Sequence, residues 1–193
     1  MSAHELDDAD TAVIPLAGQL TRLREFRSSD GVDAFAIVGD DRVTQFLSFD
    51  SRSREAAQSM IDGAVERARV MPRNEYYLGM TQLEDDRLIG FCRLGLTGVR
   101  AAQLGYAVIA EHWGKGYATD AVRSALDFAF GPLDLHRITA AIGPDNAASQ
   151  GVVERLGFTR EGVLRDHVFT NGAWRDSVLY SILAGEWPEP KSD

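Results

Sequence analysis

Two apolar rhythms meet in the middle of this chain, and the junction between them restricts the fold more than any other stretch. "AQLGYAVI" (102–109) alternates with period two, as a strand does. "GYATDAVRSALDFAF" (116–130) puts Ala118, Ala121, Val122, Ala125 and Ala129 on one helical stripe, ended by Gly131-Pro132. Between them stands Trp113-Gly114-Lys115-Gly116, around one of only two lysines in the sequence. A strand that turns through glycines into a helix start makes an anion site. The first helical N–H groups have no partner within the helix, and the macrodipole adds roughly half a positive charge there. Glycine lets the backbone approach a ligand closely and adopt positive φ. The turn is therefore read as one that holds phosphates.

The flanking pattern predicts a mixed sheet. "QLTRLREF" (19–26) alternates as a strand, and "SSDGVDAFAIVGD" (28–40) starts a short helix behind a Ser/Asp cap. "SREAAQSMIDGAVERARV" (53–70) is an amphipathic helix with Ala57, Met60, Ile61, Ala64, Val65 and Ala68 on one face. "EYYLGMTQL" (75–83), "RLIGFCRLGL" (87–96) and "AQLGYAVI" form an antiparallel meander. After the central helix come the strand "HRITAAIG" (136–143) and a helix capped by Asn146 and stopped by Gly157. "EGVLRDHVF" and "WRDSVLYSIL" make a closing hairpin, signalled by Asn171-Gly172. The order is β-α-α-β-β-β-α-β-α-β-β, an α+β fold with seven strands.

At 193 residues the chain fits a single domain, assigned to 18–187, with loose tails at 1–17 and 188–193. The acidic, polar start has no signal-peptide character, and no apolar run approaches the ~20 residues of a membrane span. A cytoplasmic protein is expected, without membrane contact. A net charge of −9 leaves no basic footprint for nucleic acid. Cys92 is the lone cysteine and reads as a core residue. The four histidines show no metal-binding spacing, so no metal is expected.

Three familiar phosphate loops fail on this turn. A Walker loop needs Gly where Ile109 stands and Ser or Thr at Gly116. A dinucleotide fingerprint needs a small Gly or Ala at Thr119. A kinase loop needs a downstream catalytic loop that is absent. "LGYAVIAEHWGKGYATDAV", followed thirty residues on by "PDNAASQGVVERLGFTREG", instead resembles the GNAT N-acetyltransferase superfamily, and more narrowly its branch acting on ribosomal-protein N-termini. Trp113 departs from the superfamily loop pattern but matches the narrower branch. The resemblance spans about residues 18–187.

That resemblance implies a GNAT-like sheet in which the fourth strand bulges and splays from the fifth, opening a V-shaped cleft. Acetyl-CoA, the co-substrate, would lie there with its pantetheine arm against the backbone near Val108 and Ile109. One N–H at the bulge would hold the developing oxyanion. The pyrophosphate would rest on Gly114, Lys115, Gly116, Tyr117, Ala118 and Thr119. Asn146 would bond the pantetheine, and Ser149 would protonate the leaving CoA sulfur; both also read as ordinary residues of a capped first helical turn.

The base is the weak point of the motif. Many relatives carry Glu where this chain has Gln103, and an amide takes no proton. Asp166 and His167 are candidate substitutes, and strand alternation lets only one face the cleft. Asp176 matches an acidic position common in the branch. Phe46, Phe49 and Trp174 are candidates to line the acceptor pocket, against a plain packing role. An α-amine of pKa ~7.7–8.0 is about a tenth to a sixth neutral at pH 7, whereas a lysine near ~10.4 is neutral in only a few parts per ten thousand. A missing base therefore favours a peptide or protein N-terminus as acceptor. A small-molecule amine such as an aminoglycoside or polyamine, and a non-catalytic acyl-CoA-binding module, remain the alternative readings. A second copy of the chain, as a homodimer, is a further candidate partner.

Overall fold

The computed structural model describes residues 14–188. Its strands are β1 (Leu16–Ala17), β2 (Thr21–Glu25), β3 (Glu75–Gln82), β4 (Leu88–Leu96), β5 (Ala101–Val108), β6 (Arg137–Ile142), β7 (Thr159–Thr170) and β8 (Ala173–Leu183). The helices are α1 (Gly31–Val38), α2 (Asp41–Thr44), α3 (Arg54–Arg67), α4 (Tyr117–Phe130) and α5 (Ala147–Arg155). One sheet runs in the order β1-β2-β3-β4-β5-β6-β8-β7. It has eight strands where the sequence pattern gives seven. The additional one, β1, falls inside the stretch read as an N-terminal tail and is too short for any periodicity to reveal. The tail positions 1–13 and 189–193 lie outside the described residues. The four-residue α2 was likewise not expected.

Local chemistry accounts for the longer elements. Ser53 caps α3, its hydroxyl accepting from the Ala56 N–H, and the stripe Ala57, Ile61, Ala64 is buried as its spacing requires. Asn171 and Gly172 both take positive φ (52° and 72°), the twist a two-residue hairpin between β7 and β8 demands. The sheet carries a core on each face. One packs α4 and α5 against β3–β6 and β8 through residues such as Leu94, Leu104, Val122, Leu126, Val153 and Ile182. The other packs α1 and α3 against β4 and β5 through Ile37, Ile61, Phe91 and Ala107. Cys92 lies fully in the first core, where burial pushes its thiol up to about 12, so it is a packing residue. The buried Trp187 closes the domain, its indole Nε1 donating to Asp127 Oδ1 at 2.8 Å.

The register shows where the sheet opens. β5 and β6 are parallel neighbours over only three positions, Ala101↔Arg137 to Gln103↔Thr139, although both strands run on. The bulge expected in β5 is not there: β4 and β5 pair without interruption from Gly90↔Val108 to Leu96↔Ala102. Register shifts occur instead between Met80 and Thr81 on β3, and on β7 between Arg160 and Gly162 and between Leu164 and Val168.

Asp120, in the first turn of α4, ties the opposite end of the sheet to this helix. Its carboxylate accepts from the backbone N–H groups of Gln19, Leu20 and Thr21 and from the Thr21 hydroxyl, at 2.7–3.0 Å. The turn tolerates this only because residue 18 is glycine, since a Cβ there would sit 2.2 Å from Asp120 Oδ2. Burial works to raise the Asp120 pKa, but the Thr21 hydroxyl and the three amides prevail and hold it below the usual carboxylate value. Replacing Asp120 with Ala strands these donors in a part-buried turn. Asp120→Ala should lose about 2–4 kcal/mol of stability in a urea titration, the range expected for several orphaned N–H groups.

Candidate active site

The Gly-Lys-Gly turn folds as its composition requires. Gly114 and Gly116 both adopt left-handed φ (73° and 87°), and Gly116 caps α4 without any side-chain cap. Asp120 makes the first helical bond, its N–H donating to Gly116 O at 3.0 Å, so the Tyr117, Ala118 and Thr119 N–H groups precede the α-helical ladder. Lys115 is exposed beside them. His112 packs its ring on Tyr117, with centroids 5.4 Å apart, and leaves a buried Nδ1 without a hydrogen-bond partner. Burial first, then the Lys115 charge, hold its pKa below the ordinary imidazole value.

Upstream, the opened edge of β5 offers free backbone. The Ile109 N–H donates to Ile89 O at 2.9 Å, so Ile109 is committed to β4. By the alternation of an antiparallel ladder, Tyr106 and Val108 then turn their backbone groups the other way, into the space β6 has left. Val108 C=O is taken by Trp113 Nε1 at 2.8 Å, which ties the loop back to the strand and leaves the Val108 N–H available. Trp113 thus has a structural reason to occupy the first loop position. Of the two backbone positions expected to meet pantetheine, Val108 turns its N–H to the open side and Ile109 gives its N–H to β4.

Across the opening stands α5. Asn146 caps it, Oδ1 accepting from the Ser149 N–H at 3.1 Å. Ser149 Oγ lies 2.6 Å from the Tyr106 hydroxyl, which also reaches Ser149 O at 3.1 Å. Burial pushes the Tyr106 phenol up to about 12, with the Ser149 contact opposing, so it stays a protonated donor at neutral pH. Tyr106 was not among the residues singled out from sequence. Its place in "LGYAVI" shows a strand position, and only the fold brings it to Ser149.

On the opposite face of β3–β5 lies a cavity of about 700 Å³ that reaches β5 at Gln103, Gly105 and Tyr106. Phe49 and Gln103, both expected on the acceptor side, line it, together with Arg52, Arg67, Glu75 and Arg93. Phe46 does not; it is partly exposed near Trp113, with ring centroids 6.3 Å apart. Trp174 is 61% exposed and packs on Phe169 across the hairpin, outside the cavity. Asp166 and His167 fall in the wide β7 bulge, where three residues oppose Asp176 alone, so simple alternation does not govern them. Asp166 takes φ 49° and its N–H donates to Asp176 Oδ1; His167 Nδ1 sits 3.0 Å from Ser177 Oγ. Neither lines the cavity.

Glu75 is the only carboxylate lining this cavity among the described residues, and it is doubly engaged. Arg67 Nε donates to Oε1, and Arg93 Nε to Oε2 at 2.6 Å. Burial raises its pKa, but the two guanidiniums, Arg67 first, bring it below the ordinary value. It is therefore a poor proton acceptor.

Known proteins agree with this architecture. The model of the acetyltransferase (GNAT) domain matches residues 21–159. The chain belongs to the GNAT acetyltransferase family. It is similar to a probable N-acetyltransferase, YjcK, of Bacillus subtilis, at 33% identity over 87% of this chain and 96% of the relative. It is also similar to the [ribosomal protein uS5]-alanine N-acetyltransferase of Escherichia coli, at 30% identity over 58% of this chain and 59% of that one. Among solved structures, Mycobacterium smegmatis RimJ in complex with CoA-disulfide superposes with a TM-score of 0.77 at 28% identity, covering 88% of this chain and 84% of that one. The family makes this chain an acetyl-CoA-dependent N-acetyltransferase of the branch resembling the ribosomal-protein enzymes. Among the described residues no helix is long and apolar enough to cross a membrane.

The Glu75 pair sets an acid limit on stability. Because its folded pKa lies below the unfolded value near 4.5, its contribution is fully present above that pH and is lost as the pH falls through the folded value. Glu75→Gln should flatten this acid limb in melts collected from pH 6 down to 3, while leaving the slope above pH 6 as in the wild type.

Proposed function

We propose that this enzyme acetylates the α-amine of a protein or peptide N-terminus by direct attack on acetyl-CoA. One observation carries the reading: the one carboxylate lining the acceptor cavity among the described residues is ion-paired to two arginines, so no free carboxylate stands there beside the amine. An α-amine needs the least help. Relative to a lysine, its larger neutral fraction at pH 7 is worth roughly 3.5 kcal/mol. The similarity to the uS5-alanine N-acetyltransferase points the same way.

The residues present fit the co-substrate. Two left-handed glycines and the N–H groups of Tyr117, Ala118 and Thr119, which precede the helical ladder, are donors suited to a pyrophosphate, with Lys115 adjacent. Bound acetyl-CoA supplies the activated thioester. The Val108 N–H, at the parted edge of β5, is the donor we assign to the thioester carbonyl. Ser149 and Tyr106 form a hydroxyl pair from which the Ser149 O–H donates towards the departing sulfur while the Tyr106 O–H donates to Ser149. Asn146 orients Ser149 by capping its helix. Gln103 and Phe49 line the path of the amine. We route no proton through Asp166 or His167, which stand on the exposed hairpin bulge.

Thiol release from acetyl-CoA, followed against N-terminal peptides, free lysine, polyamines and aminoglycosides, tests the reading. Turnover should be highest with peptides, and its rate should rise with pH through the α-amine range near ~7.7–8.0. Turnover only with a polyamine or aminoglycoside would replace the peptide acceptor, and CoA binding without any turnover would favour an acyl-CoA-binding module. Ser149→Ala and Tyr106→Phe should each lower kcat by about 10²-fold, with acetyl-CoA affinity nearly unchanged by calorimetry. Together they should cost little more than either alone, because they act as one unit.

A further inference from the structure

The acceptor cavity is positively charged in a chain whose net charge is −9. Among the described residues its charged lining is three guanidiniums, Arg52, Arg67 and Arg93, against the single carboxylate of Glu75. That carboxylate is used up: each of its oxygens accepts the Nε–H of one arginine, which leaves the terminal NH2 groups of Arg67 and Arg93 without hydrogen-bond partners among the described residues. Arg93 lies back over β4, its guanidinium 3.2 Å from where a Cβ on Gly95 would be, so the glycine gives it room there.

Arg52 has no anionic partner at all among the described residues. Its backbone N–H is fixed to Val38 O at 2.8 Å, just ahead of the Ser53 cap of α3. Its guanidinium stacks on Phe49, 4.6 Å from the ring centroid, and its Nε is buried without a hydrogen-bond partner. Aromatic stacking holds the guanidinium plane in place but leaves its in-plane N–H groups unused. A buried donor with no acceptor is costly, and such a group in a folded protein calls for one.

We propose that the cavity selects amine acceptors carrying an anionic group close to the amine, which Arg52 binds while Arg67 and Arg93 frame it. This rests on the amine-acetyltransferase reading above and narrows its substrate class. A carboxylate accepts two parallel N–H bonds from a guanidinium fork, and Arg52 is the fork left open. The anion is supplied either by an acidic residue following the N-terminal one or by the carboxylate of a free amino acid. Polyamines and lysine-rich termini bring like charge to three arginines and are disfavoured.

The test compares peptides that start Ala-Asp, Ala-Gln and Ala-Lys and are otherwise identical, together with free alanine and spermidine. Initial rates are measured with wild type and Arg52→Gln. Equilibrium binding of the same peptides to the CoA-loaded protein is measured by calorimetry. The Ala-Asp peptide should exceed Ala-Gln in kcat/KM by about tenfold or more, the effect of one charge-assisted hydrogen bond, with the difference residing in KM and shrinking as salt is added. Arg52→Gln should bring that ratio close to one. Free alanine matching the acidic peptide would support the proposal with the substrate's own carboxylate as the anion. Equal kcat/KM for all peptides, or preference for Ala-Lys or spermidine, would overturn it while leaving the enzyme an amine acetyltransferase. If no amine is turned over, that reading fails, and the calorimetric ratio alone decides: equal affinities for Ala-Asp and Ala-Lys sink the anion site. Should Arg52→Gln melt early, the wild-type peptide ratio and its salt dependence still decide.

Discussion

β5 and β6 run side by side for three residues and then part, and the functional architecture follows from that separation. This is the one parallel pair among the described strands, and α4 makes the crossover that parallel pairing requires. An open strand edge inside a protein is a row of unsatisfied donors and acceptors, which most folds cover or pair. Here it is partly covered from both sides. The Trp113 indole takes the Val108 carbonyl, and Tyr106 sends its side chain across to Ser149. What remains exposed is a short stretch of backbone between a glycine turn and a serine helix. Such an edge is one that an extended ligand can join as an added strand joins a sheet.

The two buried carboxylates nearest the site, Asp120 and Glu75, are both held by donors. Asp120 gathers three amides and a hydroxyl, and through them anchors α4, and with it the phosphate turn, to the far edge of the sheet. Glu75 gathers two guanidiniums on the floor of the acceptor cavity. Both have depressed pKa values for the same reason: donors that favour the charged form outweigh the cost of burial. Among the described residues, the cavity thus offers no carboxylate free of an arginine partner. The Tyr106–Ser149 hydroxyl pair lies on the other side of β5. The cavity and the hydroxyl pair thus lie on opposite faces of one strand, whose side chains alternate between them.

Elements whose information is local were legible in the chain. α4 follows from its alanine stripe and the glycines at both ends, α5 from the Asn146 cap and Gly157, and the β7–β8 hairpin from Asn171-Gly172. β1 was not legible, because two residues carry no period, and it exists only because Gly18 and Asp120 fold the chain back on β2. Asp166 and His167 were read through strand alternation, which the β7 bulge interrupts.

By itself the sequence determined the glycine turn before α4, the helix caps and the family, since each is written in short motifs of neighbouring residues. Only the tertiary structure decided the rest. Tyr106 and Ser149 meet across 43 positions, and Arg52, Arg67, Glu75 and Arg93 converge from a loop, a helix and two strands. No periodicity records such a meeting. Side chains so far apart in the chain acquire a common chemistry only after the sheet has set its register, because it is the register that fixes which of them share a face.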